Sequence, residues 1–564
     1  MKKIYLTLIL ILAALLRLWN LGSFPAFNAD EAALGYNAYS LIQTGKDEHG
    51  NPWPLHFQSF NDYKPGGYVY LILPFVKFMG LNEWSVRLPN ALLGIATVYI
   101  IYLLVKQLFK SSYELRVTGS NSQLTTLNSE ALALTSSFLL AISPWHLHFS
   151  RGGWEVNTAT FFITLGVYLF LKFISIKKFI YLAFSFLVFS FSLYTYHSSR
   201  IITPILSIAL IIIYWKDLEV KKYFKLYILY SIFYILLLLP LAVDLTKDGA
   251  ISRAAGVGLF ADPGPISRIE EQRSQHTDFR NIESKIIHNK LINYGLAFLE
   301  NWSEHYHGLF LFLSGDDIQR NKVPETGQLY LFEIITVLLG VFVLLKSSFL
   351  NPKSSYLVFL WLLVAPMASA LTFQSPHALR SQNMVIPLTI ISSLGLGYAL
   401  SFFKKFSKIA PLRVWHLAFG IVILWQFARY QHMYWAHMAK EYPFSSQYGV
   451  KELVNFVGRD EFKERQIVIT DRYDQPYILF LFFTKYDPKK FQEEHSLTQR
   501  DGYGFSTVRD FDRFHFYSVK WGEVMSDYPN SIIAGTAEEI PREANIIKDI
   551  YGNNGYKYFR IVAN

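Results

Sequence analysis

The chain of 564 residues is 52% hydrophobic and 17% aromatic, with only 17% charged residues and a mean hydropathy of +0.22. Soluble domains carry about 25% charged residues, so this balance excludes an ordinary soluble protein and points to a membrane protein with a soluble part. The net charge of +10 sits in short basic clusters between apolar runs, which is a membrane-topology pattern and not a nucleic-acid face; the lack of cysteine excludes disulfides, thiolate nucleophiles and cysteine-bound metals.

Apolar stretches of roughly 17 to 25 residues suffice to cross a bilayer as helices. They fall near 4–21, 86–108, 129–147, 156–174, 179–196, 200–215, 224–243, 329–346, 355–373, 381–403 and 412–429, about eleven spans. The first follows Lys2-Lys3 without a small-residue cleavage site behind it, so it reads as a retained helix and not a signal peptide. The segment 66–80, GGYVYLILPFVKFMG, is short and interrupted by Pro74 and Lys77, and is expected to lie in the interface or to re-enter.

Lysine placement orients the spans. Lys2-Lys3, Lys106/Lys110, Lys177/Lys178, Lys221/Lys222 and Lys404/Lys405 share one set of loops, expected to be cytoplasmic. The alternate set faces outward: loops 22–85 and 244–328, and the C-terminal region. The expected organisation is a transmembrane domain over 1–440 and an extracytoplasmic soluble α/β domain over 441–564. In the latter, SSQYGVKELVNFVGRD has helical periodicity, RQIVITD reads as a buried strand, DQPYILFLFFTKYD as a packed helix, and IIKDIYGNNGYKYFRIV as a hairpin closed by GNNG. About 120 residues is a reasonable size for independent folding.

Function should sit in the first outer loop. Asp30 and Glu31 lie just outside the first span, where carboxylates need water, cations or a task. One could deprotonate an acceptor hydroxyl while the other orients a helix or substrate; equally, on spacing alone, Asp30 could simply cap the helix that AALGYNAYSLI predicts. Glu155, at the outer end of the fourth span, is a candidate second carboxylate. The outer helix ends carry arginines instead of lysines: Arg17, Arg87, Arg151, Arg200 and Arg380. A planar guanidinium suits bidentate phosphate contacts, so the group suggests a phosphate-bearing lipid, although each could also snorkel to headgroups. Tyr196 near Arg200, His377 near Arg380, and Lys64 in the NDYKPGG turn are neighbours suited to the same site. His305 and His307 with Glu304 could bind a metal, but their spacing suits a strand and no third ligand is evident.

Together these stretches resemble the bacterial C-type membrane glycosyltransferases, on the branch of protein O-mannosyltransferases and lipid A aminoarabinose transferases. The resemblance rests on the acid pair with the later GKDEHG and NDYKP, on NEWSVRLPNALLG and ISPWHLHFSR, on the arginine loops YTYHSSR and PHALR, and on FLFLSGDDIQRNKVPETGQLYLFEI. It implies a polyprenyl-phosphate-linked sugar donor, a lipid, glycan or protein acceptor on the outer face, and inversion at the anomeric carbon. By position Asp30 matches the family's general base, with Glu31 and Glu155 as supporting carboxylates. Lys64, Arg151, Tyr196, Arg200, His377 and Arg380 are then donor-phosphate candidates. Gly66 stands where relatives commonly have a second proline. No cofactor is assigned; a divalent metal, present in some relatives, is left open and is not carried over to any residue here. The alternatives are a transporter or lipid flippase, which would gather its polar residues at mid-bilayer, and a non-catalytic surface sensor.

Overall fold

The computed structural model describes residues 2–110, 128–247, 256–277, 281–346, 351–403, 412–442, 447–501 and 504–564. Lys404 and Lys405, counted above among the cytoplasmic loops, lie outside these. Each of the eleven expected spans coincides with a helix, among them Lys2–Leu18, Glu83–Leu108, Glu155–Ile176, Phe179–Thr195, Val220–Asp244 and Val385–Phe403. Among the described residues five helices are long and apolar enough to cross a membrane, and five further apolar helices are shorter. Val220–Asp244 has only 6% of its most apolar window buried, so nearly its whole surface is available to lipid.

Helix contact in the bundle depends on small residues, as expected where lipid removes the hydrophobic drive between helices. Glu333–Leu345 and Val385–Phe403 approach so closely that a Cβ added at Gly395 would lie 1.7 Å from the Thr336 carbonyl oxygen. Thr336 Oγ1 and Ser392 Oγ, 2.7 Å apart, close the same seam.

The first outer segment is built differently. Asn28 caps the helix Ala29–Thr44, and Gly45 ends it in the left-handed conformation at φ 72°. The alternative that Asp30 is the cap is thereby corrected: Asp30 is the second residue of the helix. Strands β1 (His56–Ser59) and β2 (Asp62–Pro65) pair antiparallel around Phe60 and Asn61, both at positive φ, as a two-residue primed turn requires. The segment expected to be interfacial or re-entrant is a helix, Gly67–Met79, that buries Tyr68, Ile72 and Val76 along one face.

From residue 447 the chain forms the expected α/β unit. Strands β3 (Gln466–Ile469), β4 (Asp510–Phe511), β5 (Phe514–Phe516), β6 (Ser531–Gly535), β7 (Ile546–Tyr551) and β8 (Lys557–Ala563) form one sheet in the order β4-β5-β3-β6-β8-β7. β3 is parallel to β5 and β6, and β7 and β8 are the expected hairpin. The alternation of β3 divides two cores: Ile467 and Ile469 face one, Val468 the other.

The first of those cores is shared with the segment that follows the first helix. Phe27, Ala32, Tyr36, Leu41 and Phe57 of the first outer segment are packed in one cluster with Leu453, Tyr477, Phe480, Phe482 and Phe491. The helix Pro476–Thr484 is apolar throughout because it is covered by the sheet on one side and by Ala29–Thr44 on the other. Gly35 permits this: a Cβ there would lie 2.5 Å from the Phe482 ring and 2.7 Å from Val86. Gly35→Val should therefore overpack the junction and cost about 1–3 kcal/mol, read as a lowered unfolding midpoint and faster proteolysis of residues 447–564. An unaltered midpoint would refute the shared core.

Candidate functional site

The two adjacent acids point opposite ways. Glu31 is buried, and its carboxylate receives Arg87 Nε and Nη2, both at 2.7 Å, and the Gly153 amide at 2.8 Å. It also completes the capping box with Asn28. Arg87 donates further to the carbonyls of Leu21 and Pro25, each at 2.9 Å. Glu31 thus fixes the helix to the loop behind it, and one residue of helical rotation turns Asp30 toward the opening.

Asp30 is 31% exposed and held by two cations. Lys64 Nζ lies 2.6 Å from Oδ1, and Arg320 Nη1 lies 3.4 Å from Oδ2. Lys64 comes from β2, opposite Phe57, with its ammonium 5.0 Å from the centre of the Phe60 ring. Burial alone would lower the Lys64 pKa, but the charges of Asp30, Glu155 and Asp62 outweigh it and raise the pKa above the usual lysine value. Glu155, first residue of its helix, is therefore in the electrostatic reach of the Asp30–Lys64 pair. Its neighbour Asn157 turns inward instead, to Asn90 at 2.9 Å and Gln382 at 3.0 Å.

Arg320 was not singled out from the sequence, although it is an arginine in a loop expected to face outward, the same signal that selected Arg200. Its position is well determined. His148 Nε2 lies 2.9 Å from its carbonyl oxygen. Asp316 ties down the turn by accepting from the Ile318 amide at 2.8 Å, Asn321 Nδ2 at 3.0 Å and the Ala378 amide at 2.6 Å. His377 is part of the same knot, its Nδ1 3.6 Å from Asp316. His305 Nε2 contacts Ser369 Oγ at 2.8 Å; among the described residues no group of three or more His, Cys, Asp or Glu is gathered to hold a metal ion.

The remaining arginines divide by what they already bind. Arg151 is 1% exposed, and it donates to Tyr434 Oη at 3.0 Å and to the carbonyls of Leu16, Trp19 and Phe24 at 2.7, 2.7 and 3.2 Å. That set occupies its guanidinium as a staple between the first helix and the loop after it. Arg17 is likewise interior, bonded to the carbonyls of Ala13, Ala141 and Leu140 and to His146. Arg200 lies in a second polar cluster, against His56 Nε2 and His197, with His56 Nδ1 on the Asp244 carboxylate and Lys247 2.8 Å from Asp244. His56 and Lys64 project from opposite faces of the hairpin, since they occupy alternate register positions. Tyr196, beside this cluster, is buried with its ring 6.5 Å from that of His197. Arg380 donates to Thr372 Oγ1 at 2.7 Å and Gln374 Oε1 at 3.3 Å.

Asp47 and Glu48 have structural work. Asp47 accepts from the amides of His49 and Asn51 at 2.9 and 2.8 Å, and Glu48 accepts from Asn37 Nδ2 at 3.2 Å. His49 meets His495 of the C-terminal unit at 2.8 Å. Burial pushes the Glu48 carboxyl up to about 8 and the His49 imidazole down to about 3.

Comparisons with known proteins agree with this architecture. Residues 7–114 match the family model described as dolichyl-phosphate-mannose-protein mannosyltransferase. A stretch of 178 residues is 28% identical to an uncharacterized protein of Aquifex aeolicus (strain VF5), covering 32% of this chain and 31% of that one. The whole chain superposes on 98% of ArnT from Cupriavidus metallidurans in the apo state, with a TM-score of 0.54 at 10% identity. It also superposes on 97% of the same ArnT bound to undecaprenyl phosphate, with a TM-score of 0.51 at 9% identity. The chain spans 63% of the archaeal oligosaccharyltransferase AglB from Archaeoglobus fulgidus, with 86% of its own length covered, 14% identity and a TM-score of 0.49. The fold implied by the resemblance, a multi-pass helical membrane protein with a C-terminal sheet unit, is the fold observed.

Two predictions concern the frame of the site. Arg87→Leu leaves Glu31 buried without its partner and should cost about 3–5 kcal/mol, whereas Glu31→Leu/Arg87→Leu together should recover much of that loss; equal unfolding midpoints for the single and double variants would refute the pairing. For Glu48, the raised pKa means that the folded state holds a proton the unfolded chain releases. Its stabilisation is complete below about pH 4.5 and is lost as pH rises toward about 8. His49 titrates the other way, losing stability as pH falls from about 6.5 toward 3, so Glu48 acts alone of the two above pH 6.5. Glu48→Gln should flatten the fall in unfolding midpoint between pH 6.5 and 8, and a fall as steep as in the unaltered chain would assign it to other groups.

Proposed function

We propose that the protein is a membrane glycosyltransferase that moves a sugar from a polyprenyl-phosphate donor to an acceptor on the outer face of the cell membrane, with Asp30 as general base. The observation that carries this reading is a solvent-reachable carboxylate held between two cations on helix-anchored and knotted backbone, Lys64 at 2.6 Å and Arg320 at 3.4 Å. The lysine-rich loops support a cytoplasmic N-terminus and an outward-facing Asp30. The fold shared with ArnT supports a polyprenyl-phosphate donor.

The chemistry needs few parts. The acceptor hydroxyl loses its proton to Asp30 as its oxygen attacks the anomeric carbon from the side opposite the phosphate. The bond between that carbon and the phosphate oxygen breaks with its electron pair going to the phosphate, so the configuration inverts. A phosphate leaves without acid assistance when cations meet its developing charge, and Lys64 and Arg320 are positioned to supply it. While they neutralise Asp30 they make it a poor base. A donor phosphate that draws them away leaves Asp30 the stronger acceptor of a proton, so donor binding itself activates the base. Glu155 helps to keep Lys64 charged, Glu31 holds the helix in place, and no step is assigned to a metal. The Arg200–His56–Asp244 cluster, with Tyr196, and the His377–Arg380 loop flank the site as further places for donor contacts.

In nanodiscs containing a polyprenyl-phosphate sugar, Asp30→Asn should abolish transfer while polyprenyl-phosphate affinity is kept or rises, because Lys64 and Arg320 are no longer shared with a carboxylate. Lys64→Ala and Arg320→Ala should each weaken that affinity by about 1.5–3 kcal/mol, the range for hydrogen bonds to charged groups. Normal turnover by the Asp30→Asn protein would sink the mechanism, and unchanged affinities in both cation variants would move the phosphate elsewhere.

A further inference from the structure

The loop 244–328, expected to face outward, contains a helix whose polarity is reversed. In Lys290–Glu304, Leu291, Ile292, Leu296 and Leu299 fall within about 140° of one another around the axis. This stripe is the exposed one: Leu291 is 85% exposed, and Leu296 and Leu299 are each more than half exposed. The opposite face is buried and carries Asn293 and Tyr294. Asn293 Nδ2 donates to the Asn289 carbonyl at 3.2 Å, and the Tyr294 ring lies 5.0 Å from that of Phe260. A helix on a water-facing surface is arranged the other way round, with its apolar stripe inward.

The C-terminal end of this helix is fixed to the end of a span. Trp302 Nε1 donates to the Leu363 carbonyl and Tyr306 Oη to the Leu362 carbonyl, both at 2.9 Å. These belong to the last turn of the apolar helix Pro352–Val364, where carbonyls lack intrahelical donors. Asn301 Nδ2 donates to the carbonyls of Thr372 and Ala370 just beyond, at 3.0 and 3.2 Å. The side chains of Leu360 and Leu363 are themselves exposed, so the apolar surface of the span continues through Trp302, one turn from Leu299. The His377 amide donates to His305 Nε2 at 3.3 Å, which joins the helix to the Asp316 knot and so to the side of the membrane on which Asp30 lies. We propose that Lys290–Glu304 lies in the membrane surface, with its leucine stripe at the acyl-chain boundary of the leaflet on the Asp30 side. The partner is lipid and not a second copy of this chain, because the stripe is continuous with the exposed apolar wall of a span. Lys290 and Glu300, exposed outside the stripe, hold the helix at headgroup level and prevent deeper insertion. Trp302 stands at the junction, the depth at which tryptophan is enriched.

This surface depends on no step of the transferase reading, and its test needs no turnover. The chain has no cysteine, so single cysteines can be introduced without removing others. Leu291→Cys and Leu296→Cys, with Glu523→Cys on the exposed helix Trp521–Asp527 as the aqueous reference, each receive a nitroxide label. The full-length proteins are placed in vesicles of phosphatidylethanolamine and phosphatidylglycerol. Collision with oxygen, which concentrates in the acyl chains, is compared with collision with a nickel chelate, which stays in water. The ratio of oxygen to nickel collisions should be severalfold higher at Leu291→Cys and Leu296→Cys than at Glu523→Cys, corresponding to a depth of about 5–10 Å below the headgroup phosphates. Leu299→Cys gives the same reading where either of the first two is poorly produced. A ratio equal to that at Glu523→Cys overturns the proposal by placing the stripe in water. Low collision with both reagents, or spin–spin broadening that unlabelled protein dilutes away, also overturns it by showing that protein covers the stripe.

Discussion

A carboxylate removed from water must find a cation and hydrogen-bond donors or take up a proton. Glu31 is 1% exposed and finds both, in Arg87 and in the Gly153 amide. That pair joins the start of the helix Ala29–Thr44 to the head of the helix Glu83–Leu108 and to the turn before Glu155. Three of the elements that bring residues to the site therefore meet at one buried ion pair. Because consecutive helical residues differ in direction by about 100°, fixing Glu31 inward leaves Asp30 no choice but the open side. The direction of Asp30 is set by its neighbour.

The second constraint comes from the opposite direction. A two-stranded hairpin is marginal by itself, and β1–β2 has a phenylalanine in the left-handed region at its tip. It persists because Ser506 and Arg500 of the C-terminal unit bond the backbone of Phe60 and Asn61, and because Phe57 and Phe60 enter the shared core. Lys64 is consequently held by the C-terminal unit as much as by its own strand. A loop anchored on one side by a membrane-end ion pair and on the other by a soluble sheet has little freedom left, which is what a preorganised site requires.

The spans, the C-terminal strands and the position of Asp30 were legible because each depends on local pattern: an apolar run, an alternation, a pair of acids after the first helix. What could not be read depends on where distant segments meet. The cap is Asn28 and not Asp30, a choice between two acceptable residues two positions apart that tertiary contacts with Arg87 and Gln447 decide. Arg151 satisfied every local criterion for a phosphate contact, yet the carbonyls left over at the end of the first helix claim it. Arg320 met the same criterion and was passed over, because only the knot of Asp316, Asn321 and Ala378 carries it to Asp30.

The arginines at these helix ends have a divided use. A helix that ends near a membrane surface leaves carbonyls without partners, and a guanidinium can satisfy several of them at once without losing its charge. Lysine presents a single strongly hydrated ammonium and serves that purpose less well. Arg17, Arg87 and Arg151 are used in this way: Arg87 and Arg151 each bond at least two carbonyls of the first helix or the loop that follows it, and Arg17 bonds those of Ala13, Leu140 and Ala141. The same planar fork, where it is not exhausted by backbone, is a phosphate ligand. Burial divides these arginines. The three interior guanidiniums hold the loops, while Arg320, 43% exposed beside Asp30, keeps a face that a ligand can reach.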